Sequence, residues 1–534
     1  MSLTLSTVDI LVVTGYFFAV FAVAWRVTRR EKVLETSSGY FLAGRNVGWF
    51  VVGASLFASN IGSEHLIGLA GTGFKSGVAV GQFEILASLI LLLLGWLFVP
   101  FYLKSGMYTM PEFLERRYSP GARAYLSWVS ILGYVLTKIS VTIAAGGIVF
   151  EAIGINFWEG ALVVVLATGI YTVLGGLRAV VYTDMLQMFV LIAGSVAVTA
   201  MGLFKIGGWS EMVQGAGSGF MSVWKPVSDP NFPWTGILLG APILGVWYWC
   251  TDQFIVQRVL SAKDEDNARR GSIFGGFLKV LPLFIFVIPG VVAYVLAQSG
   301  QLHLTNADQA LPALVGALLP TGLRGLVIAG LLAALMSSLS SVFNSCSTLI
   351  TWDIYKKIHP GASERQLVWV GQIATIFLVV LGLLWIPFMR NLGQLYVYLQ
   401  SVQAYIAPPI AAVFLLGLFF RRLNGRGAMA SLLTGLVLGM TRLFLEINKT
   451  RLSGFWLDYA TVNFLHFAAI LFLLCSVILV LASLTAPAPS PDQTDGLTYE
   501  KSSSRPSFSA WKRTDFAASV ALVFVVAMVW IYFR

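Results

Sequence analysis

The stretch Ala58-Ser59-Asn60-Ile61-Gly62-Ser63-Glu64-His65 sits in the middle of a segment, Gly53 to Phe74, that is otherwise long and apolar enough to cross a bilayer. A helical crossing takes about 20 apolar residues, so an amide, a carboxyl, an imidazole and a glycine fall here at mid-membrane depth. Polar groups left unsatisfied in hydrocarbon are costly. The segment therefore has to face a hydrated or polar cavity, and ionisable groups at that depth point to function. The pattern predicts a helix broken between Asn60 and His65. Such a break releases backbone carbonyls for a cation and N–H ends for a polar solute. A kinked packing helix lined by small residues is the bland alternative; a single polar residue would favour it, and Asn, Glu and His together argue against it.

The surrounding composition agrees with a membrane location. Of 534 residues, 57% are hydrophobic and 11% charged, against about 25% charged in soluble domains. Apolar segments recur along the whole length, which predicts an all-α polytopic membrane protein with about fourteen transmembrane helices, at approximately 8–28, 49–73, 78–103, 124–150, 157–174, 180–203, 234–257, 272–297, 322–350, 366–388, 392–419, 427–446, 460–485 and 516–533. The first apolar stretch, near residues 9–27, lacks a basic leader and a small-residue cleavage site and is expected to be retained. Lys and Arg gather in the loops after odd-numbered spans, among them Arg29, Arg30, Lys32, Arg45, Arg116, Arg178, Arg258, Lys356 and Arg421. By the positive-inside rule those loops are cytoplasmic and both termini extracellular or periplasmic, in a multi-pass protein of the plasma (inner) membrane. This sorting accounts for the net charge of +10 without a nucleic-acid partner. Cys250, Cys346 and Cys475 all lie in apolar segments, which argues against a disulfide framework.

A second polar interruption falls five spans after the first: Pro242 and Gly245, then Trp247-Tyr248-Trp249-Cys250-Thr251-Asp252-Gln253. An odd number of spans per repeat inverts its orientation, so this spacing is the trace that an inverted five-helix repeat leaves. The expected organisation is a first transmembrane helix and cytoplasmic loop in 1–48, one five-helix repeat in 49–203 and an outer loop in 204–233. A second, inverted repeat follows in 234–420. Three C-terminal helices fill 421–534, with a flexible Pro-, Ser- and Asp-rich loop at 486–515.

Polar side chains within the spans supply the candidate chemistry. Ser337, Ser341 and Ser345 share one helical face and Ala334 and Ser338 another. Close packing explains such a run; so does a hard monovalent cation held by hydroxyl and carbonyl oxygens, with carbonyls near Ala58 and Ile61 completing the shell. Glu84 and Lys279 are intramembrane charges expected at a polar cavity, whereas Lys138 reads more as a structural ion pair. A sugar-like solute needs paired donors and acceptors and an aromatic face. Asn60, His65, Glu84, Lys279 and Gln400 offer the first; Tyr248, Trp249 and Tyr396 offer the second. Four histidines form no metal-ligand spacing and flank no nucleophile, and no nucleotide-binding glycine loop is present. The chain is therefore expected not to be an enzyme or an ATP-driven pump.

At these residues the sequence resembles the sodium/solute symporter family, and within it the sodium/glucose cotransporters, over nearly its whole length. The resemblance rests on Ala54-Ser55-Leu56-Phe57-Ala58-Ser59-Asn60-Ile61-Gly62-Ser63, Gly95-Trp96-Leu97-Phe98-Val99-Pro100, Thr137-Lys138-Ile139-Ser140, Trp247 to Arg258, and Tyr398-Leu399-Gln400-Ser401 followed by Ala407-Pro408-Pro409. It implies a leucine-transporter-type core and inward symport of sodium with a hexose, glucose or galactose. By matching position it implies sodium held by the carbonyls of Ala58, Ile61 and Ala334 and the hydroxyls of Ser337 and Ser338. It implies a sugar site of Asn60, His65, Glu84, Trp249, Lys279 and Gln400, with Tyr248 as inner gate and Leu69 and Tyr396 as outer gate. Asp184 with Ser340 and Ser341 resembles a second sodium site. Ile85-Leu86, Gln403 and Gly245 depart from the animal glucose carriers near the sugar shell. A sodium symporter for inositol, a carboxylate or an amino acid, or a non-transporting sugar sensor, is the alternative. The sequence leaves the oligomeric state open.

Overall fold

The computed structural model describes residues 5–29, 36–152, 154–304, 306–389, 395–499 and 510–534, and the regular elements among them are helices with no strand. The loop residues Arg30 and Lys32, the first residues of the span expected at 392–419 and residues 500–509 lie outside the described residues, as does the side chain of Glu64. Eleven described helical runs are long and apolar enough to cross a membrane, with shorter apolar helices at Trp49–Asn60 and Phe157–Val173. The tally falls below the expected fourteen chiefly because the second and seventh expected spans are broken into pieces.

The helices that position the site are, in chain order, α1 (Thr7–Arg29), α2 (Trp49–Asn60), α3 (Ser63–Ser76), α4 (Gln82–Leu93), α5 (Pro120–Gly133), α6 (Ser140–Ala152), α7 (Phe157–Ile206), α8 (Gln253–Leu260), α9 (Glu265–Leu278), α10 (Leu323–Leu349), α11 (Glu364–Met389), α12 (Leu395–Phe419), α13 (Gly425–Ile447), α14 (Phe464–Leu484) and α15 (Ala510–Tyr532). α7 and α10 share the most extensive contact, and α2 packs along α9. Small residues permit that second approach: a Cβ on Gly53 would lie 2.7 Å from the Gly271 carbonyl oxygen, and without water-driven burial close backbone contact is what joins helices in lipid. α1 is tied to α10 by Asp9, whose Oδ1 accepts from Gly322 N (2.7 Å) and Gly325 N (2.9 Å). A carboxylate there satisfies the orphan amides of a helix start and suits its positive end.

The spans placed at 157–174 and 180–203 are joined not by a loop but by one residue, Gly176, at φ 53° and ψ −155° within α7. A Cβ there would stand 2.5 Å from the Tyr40 carbonyl oxygen, so a left-handed turn and a close approach both require glycine. Over its described part the loop expected at 486–515 lies against the protein. Residues 486–499 fold back onto the helix ends: Gln493 Nε2 donates to Tyr118 O (2.9 Å), Tyr499 N to Leu418 O (2.7 Å), and Asn424 Nδ2 to Pro487 O (2.9 Å). Thr494, Leu497 and Thr498 are buried.

Candidate functional site

The break between α2 and α3 follows from where two amides go. In a continuous helix Gly62 N–H would close on Ala58 and His65 N–H on Ile61. Here Gly62 N bonds Asn60 O (3.0 Å) and His65 N bonds Gly62 O (3.0 Å), which releases the Ala58 and Ile61 carbonyls from those partners. Ile61 and Gly62 are extended. Ser338 Oγ on α10 donates to Ser59 O at 3.2 Å, so the unwound end of α2 is fastened to α10 by a hydroxyl. The seventh span breaks in its own way. After Ala241–Gly245 the chain makes wider π-helical turns over Val246–Thr251, then turns extended at Asp252, whose Oδ1 caps α8 through Phe254 N (3.2 Å). Such turns gather at functional sites because they re-aim side chains.

Both breaks face one buried cavity. A chain of polar contacts runs along it. His65 Nδ1 accepts from Gly62 N (3.4 Å), which leaves the ring hydrogen on Nε2, 3.5 Å from Glu84 Oε1. Glu84 Oε2 pairs with Lys279 Nζ. Lys279 Nζ also donates to Asn60 Oδ1 (2.5 Å), Asn60 Nδ2 to Tyr248 Oη (3.0 Å), and Lys138 Nζ to the same Tyr248 Oη (3.0 Å). Lys279 Nζ stands 5.4 Å above the Trp249 ring. On the opposite wall of α12, Gln400 Nε2 donates to Tyr396 Oη (2.9 Å), and the Tyr396 ring meets His65 edge-on at 6.0 Å. Asn60, His65, Glu84, Lys138, Tyr248, Trp249, Lys279, Tyr396 and Gln400 all line this cavity, with Phe83 and Gln403. Burying charges in such a site is tolerable because each carries a partner.

The structure thus brings the expected solute-site residues to one place. Leu69 is the exception: it is fully buried and not among the cavity's lining residues, whereas Tyr396 is. Lys138, expected as a structural charge, lies against the cavity and holds Tyr248. Its position inside the fourth span was the signal; its partner, 110 residues away, left none in the sequence.

A second polar cluster lies beside the break. Asp184 on α7 is fully buried and accepts from Ser55 Oγ (2.6 Å), Ser59 Oγ (2.8 Å) and Ser337 Oγ (2.7 Å). The expected partners differ: Ser340 donates to Ser337 O (3.0 Å) and Ser341 to Ser59 Oγ (2.9 Å), so Ser341 reaches the carboxylate through Ser59. Arg258 Nε also donates to Ser59 Oγ (3.1 Å). Serines on α2 read as helix-packing residues, which is why Ser55 and Ser59 escaped the sequence reading. The Asp184 carboxylate and the hydroxyls of Ser55, Ser59 and Ser337 are oxygen groups of the kind a hard cation takes.

A polytopic helical core with two broken helices around a polar, aromatic-lined cavity and an adjacent oxygen cluster defines a cation-coupled secondary transporter. The model of the sodium:solute symporter family matches residues 40–435, and the chain belongs to that family. It is 40% identical to sodium/glucose cotransporter 2 of Rattus norvegicus (91% of this chain, 79% of the relative), 39% to the sodium/myo-inositol cotransporter of Mus musculus (93% and 76%) and 40% to the sodium/mannose cotransporter of Bos taurus (93% and 89%). Its fold is that of a Na+-coupled sialic acid symporter solved in a substrate-bound outward-open state, with TM-score 0.79 at 23% identity over 91% of this chain and 99% of that one. A nucleobase-cation-symport-1 transporter matches at TM-score 0.56 and 16% identity. The protein is a multi-pass, sodium-coupled symporter with a leucine-transporter-type core, and sodium is its coupling ion.

Proposed function

We propose that the solute is a hexose-sized cyclic polyol, a hexose such as glucose or galactose foremost, carried into the cell across the plasma membrane with both termini outside. The observation that carries this reading is the chain of polar contacts His65–Glu84–Lys279–Asn60–Tyr248–Lys138 along one wall of a cavity that Phe83, Trp249 and Tyr396 also line, beside aliphatic side chains. Ring hydroxyls can exchange into such a chain as both donors and acceptors, and a pyranose face can rest on Tyr248 or Trp249. The relatives named for myo-inositol and for mannose favour myo-inositol as the second reading, since its ring presents the same hydroxyl chemistry.

Sodium is the co-transported substrate. Its ligands in this reading are the Ala58, Ile61 and Ala334 carbonyls and the Ser337 and Ser338 hydroxyls, with Asp184, Ser55 and Ser59 forming a second station. Sodium at the first would bridge the unwound end of α2 to α10 and so favour the conformer in which α2 and α10 are joined. A ligand shifts such an equilibrium only by its differential affinity for the two states. The membrane potential adds about 2.3 kcal/mol per charge per 100 mV to inward movement. Tyr248 gates the inner side by letting go of Asn60, and Tyr396 the outer side. The test is competition: labelled glucose uptake into proteoliposomes, challenged with galactose, mannose, myo-inositol, an amino acid and a carboxylate. Displacement by cyclic polyols alone is expected; displacement by the amino acid or carboxylate would overturn the polyol reading.

A further inference from the structure

The polar interior continues past Tyr248. A second cavity adjoins the first and shares two residues with it, Lys138 and Gln403. Its other lining residues are displaced along the same elements in one direction. On the fourth span they run back from Lys138 to Thr137 and Tyr134; on the seventh they move on to Asp252; on α12 they move on to Ile406. By the charge asymmetry of the loops, that direction leads to the cytoplasm.

The cavity contains a carboxylate that the fold does not satisfy. Asp252 is buried, its Oδ1 occupied by Phe254 N, while its Oδ2 has no hydrogen-bond partner among the described residues. An acceptor of that strength, shut away from bulk water, is costly unless something donates to it. Around it stand complementary groups. Tyr134 Oη accepts from Phe254 N at 3.2 Å and keeps its own hydrogen to give. The Thr137 hydroxyl spends its hydrogen on Gly133 O at 2.5 Å and keeps lone pairs. Trp247 supplies a flat apolar wall.

We propose that this cavity, which at about 30 Å³ has room for only a water or two, widens when the Tyr248 ring moves into a release subsite, on the cytoplasmic side of Tyr248, for the same cyclic polyol, with Asp252 accepting from ring hydroxyls and Trp247 facing the ring. The proposal rests on the polyol reading above. Lys138 and Gln403, common to both cavities, would pass the solute from one to the other when the Tyr248 ring swings aside. The subsite makes solute affinity at the inner face depend on groups that the outer face does not meet.

Sided transport tests this. Uptake into intact cells reads the outer face and uptake into inside-out vesicles of the same cells reads the inner face. Asp252→Asn keeps the size and the α8 cap, and Thr137→Val keeps the shape, so both variants should fold. The half-saturating solute concentration at the inner face is expected to rise about fivefold or more for Asp252→Asn, the factor carried by one lost hydrogen bond. The same direction is expected for Thr137→Val, with the outer value and the sodium requirement unmoved. Equal shifts at both faces, or none at either, would overturn the subsite while leaving the polyol reading intact. Failure of the wild type to carry glucose, galactose, mannose or myo-inositol would overturn both.

Discussion

Asn60 Oδ1 lies 2.5 Å from Lys279 Nζ while Asn60 Nδ2 lies 3.0 Å from Tyr248 Oη. One amide at the end of α2 thus joins a lysine at the end of α9 to the ring that closes the cavity. Asn60→Ala should cut both bonds at once. Each net hydrogen bond is worth about 1 kcal/mol and more to a charged group, so solute uptake is expected to fall by an order of magnitude or more. Tyr248→Phe keeps the ring and loses only the acceptor shared by Asn60 and Lys138; a smaller loss of uptake is expected. Wild-type uptake by Asn60→Ala would remove this clamp from the mechanism.

Glu84 and Lys279 form an ion pair with both side chains buried. Removing one partner leaves the other charged in a poor solvent, at a cost of about 3–5 kcal/mol. Glu84→Gln should therefore lower thermal stability in detergent strongly, as followed by intrinsic tryptophan fluorescence. Glu84→Gln with Lys279→Met should recover much of that stability but not solute uptake. Equal melting of Glu84→Gln and wild type would show that the pair is not carrying the fold here.

Much of this arrangement was legible in the chain because lipid leaves no slack for polar atoms. Asn60, His65, Glu84 and Lys279 stood out at membrane depth, and the interruption at Trp247–Gln253 marked its counterpart five spans on. What stayed hidden depends on long-range pairing. Ser55 and Ser59 look like packing residues until Asp184, more than a hundred positions later, is placed against them. Lys138 looked structural until Tyr248 arrived at its side. Residues 486–499 have the composition of a tether, and only the helix ends at Tyr118, Leu418 and Asn424 give them something to fold on.

Ser338 reaches across the break to Ser59 O, so the sodium requirement should respond to it more than solute affinity does. Ser338→Ala is expected to raise the half-saturating sodium concentration about tenfold, equivalent to about 1.4 kcal/mol, with the protein still folded. If Asp184 forms a second ion station, Asp184→Asn should flatten a sigmoidal sodium activation curve to a hyperbola. Sodium curves unchanged in Ser338→Ala would count against the site beside Ala58.

Gly176 turns α7 within one residue, at φ 53° against the Tyr40 carbonyl. Gly176→Ala adds a Cβ in a conformation that costs about 1–3 kcal/mol and at a contact with no room for it. Reduced yield and a lower melting temperature are expected, measured by size-exclusion chromatography and thermal scanning of the detergent-solubilised protein. An unaffected variant would mean the turn can be made elsewhere in the helix.

The most direct measurement is solute accumulation in proteoliposomes under an inward sodium gradient, with wild type and Asn60→Ala side by side. Concentrative glucose or myo-inositol uptake that requires sodium, collapses when potassium replaces it, and is largely lost in Asn60→Ala is the expected result. Uptake of the same size without a sodium gradient, or undiminished by the substitution, would contradict the claim that the cavity between the two broken helices couples ion and solute.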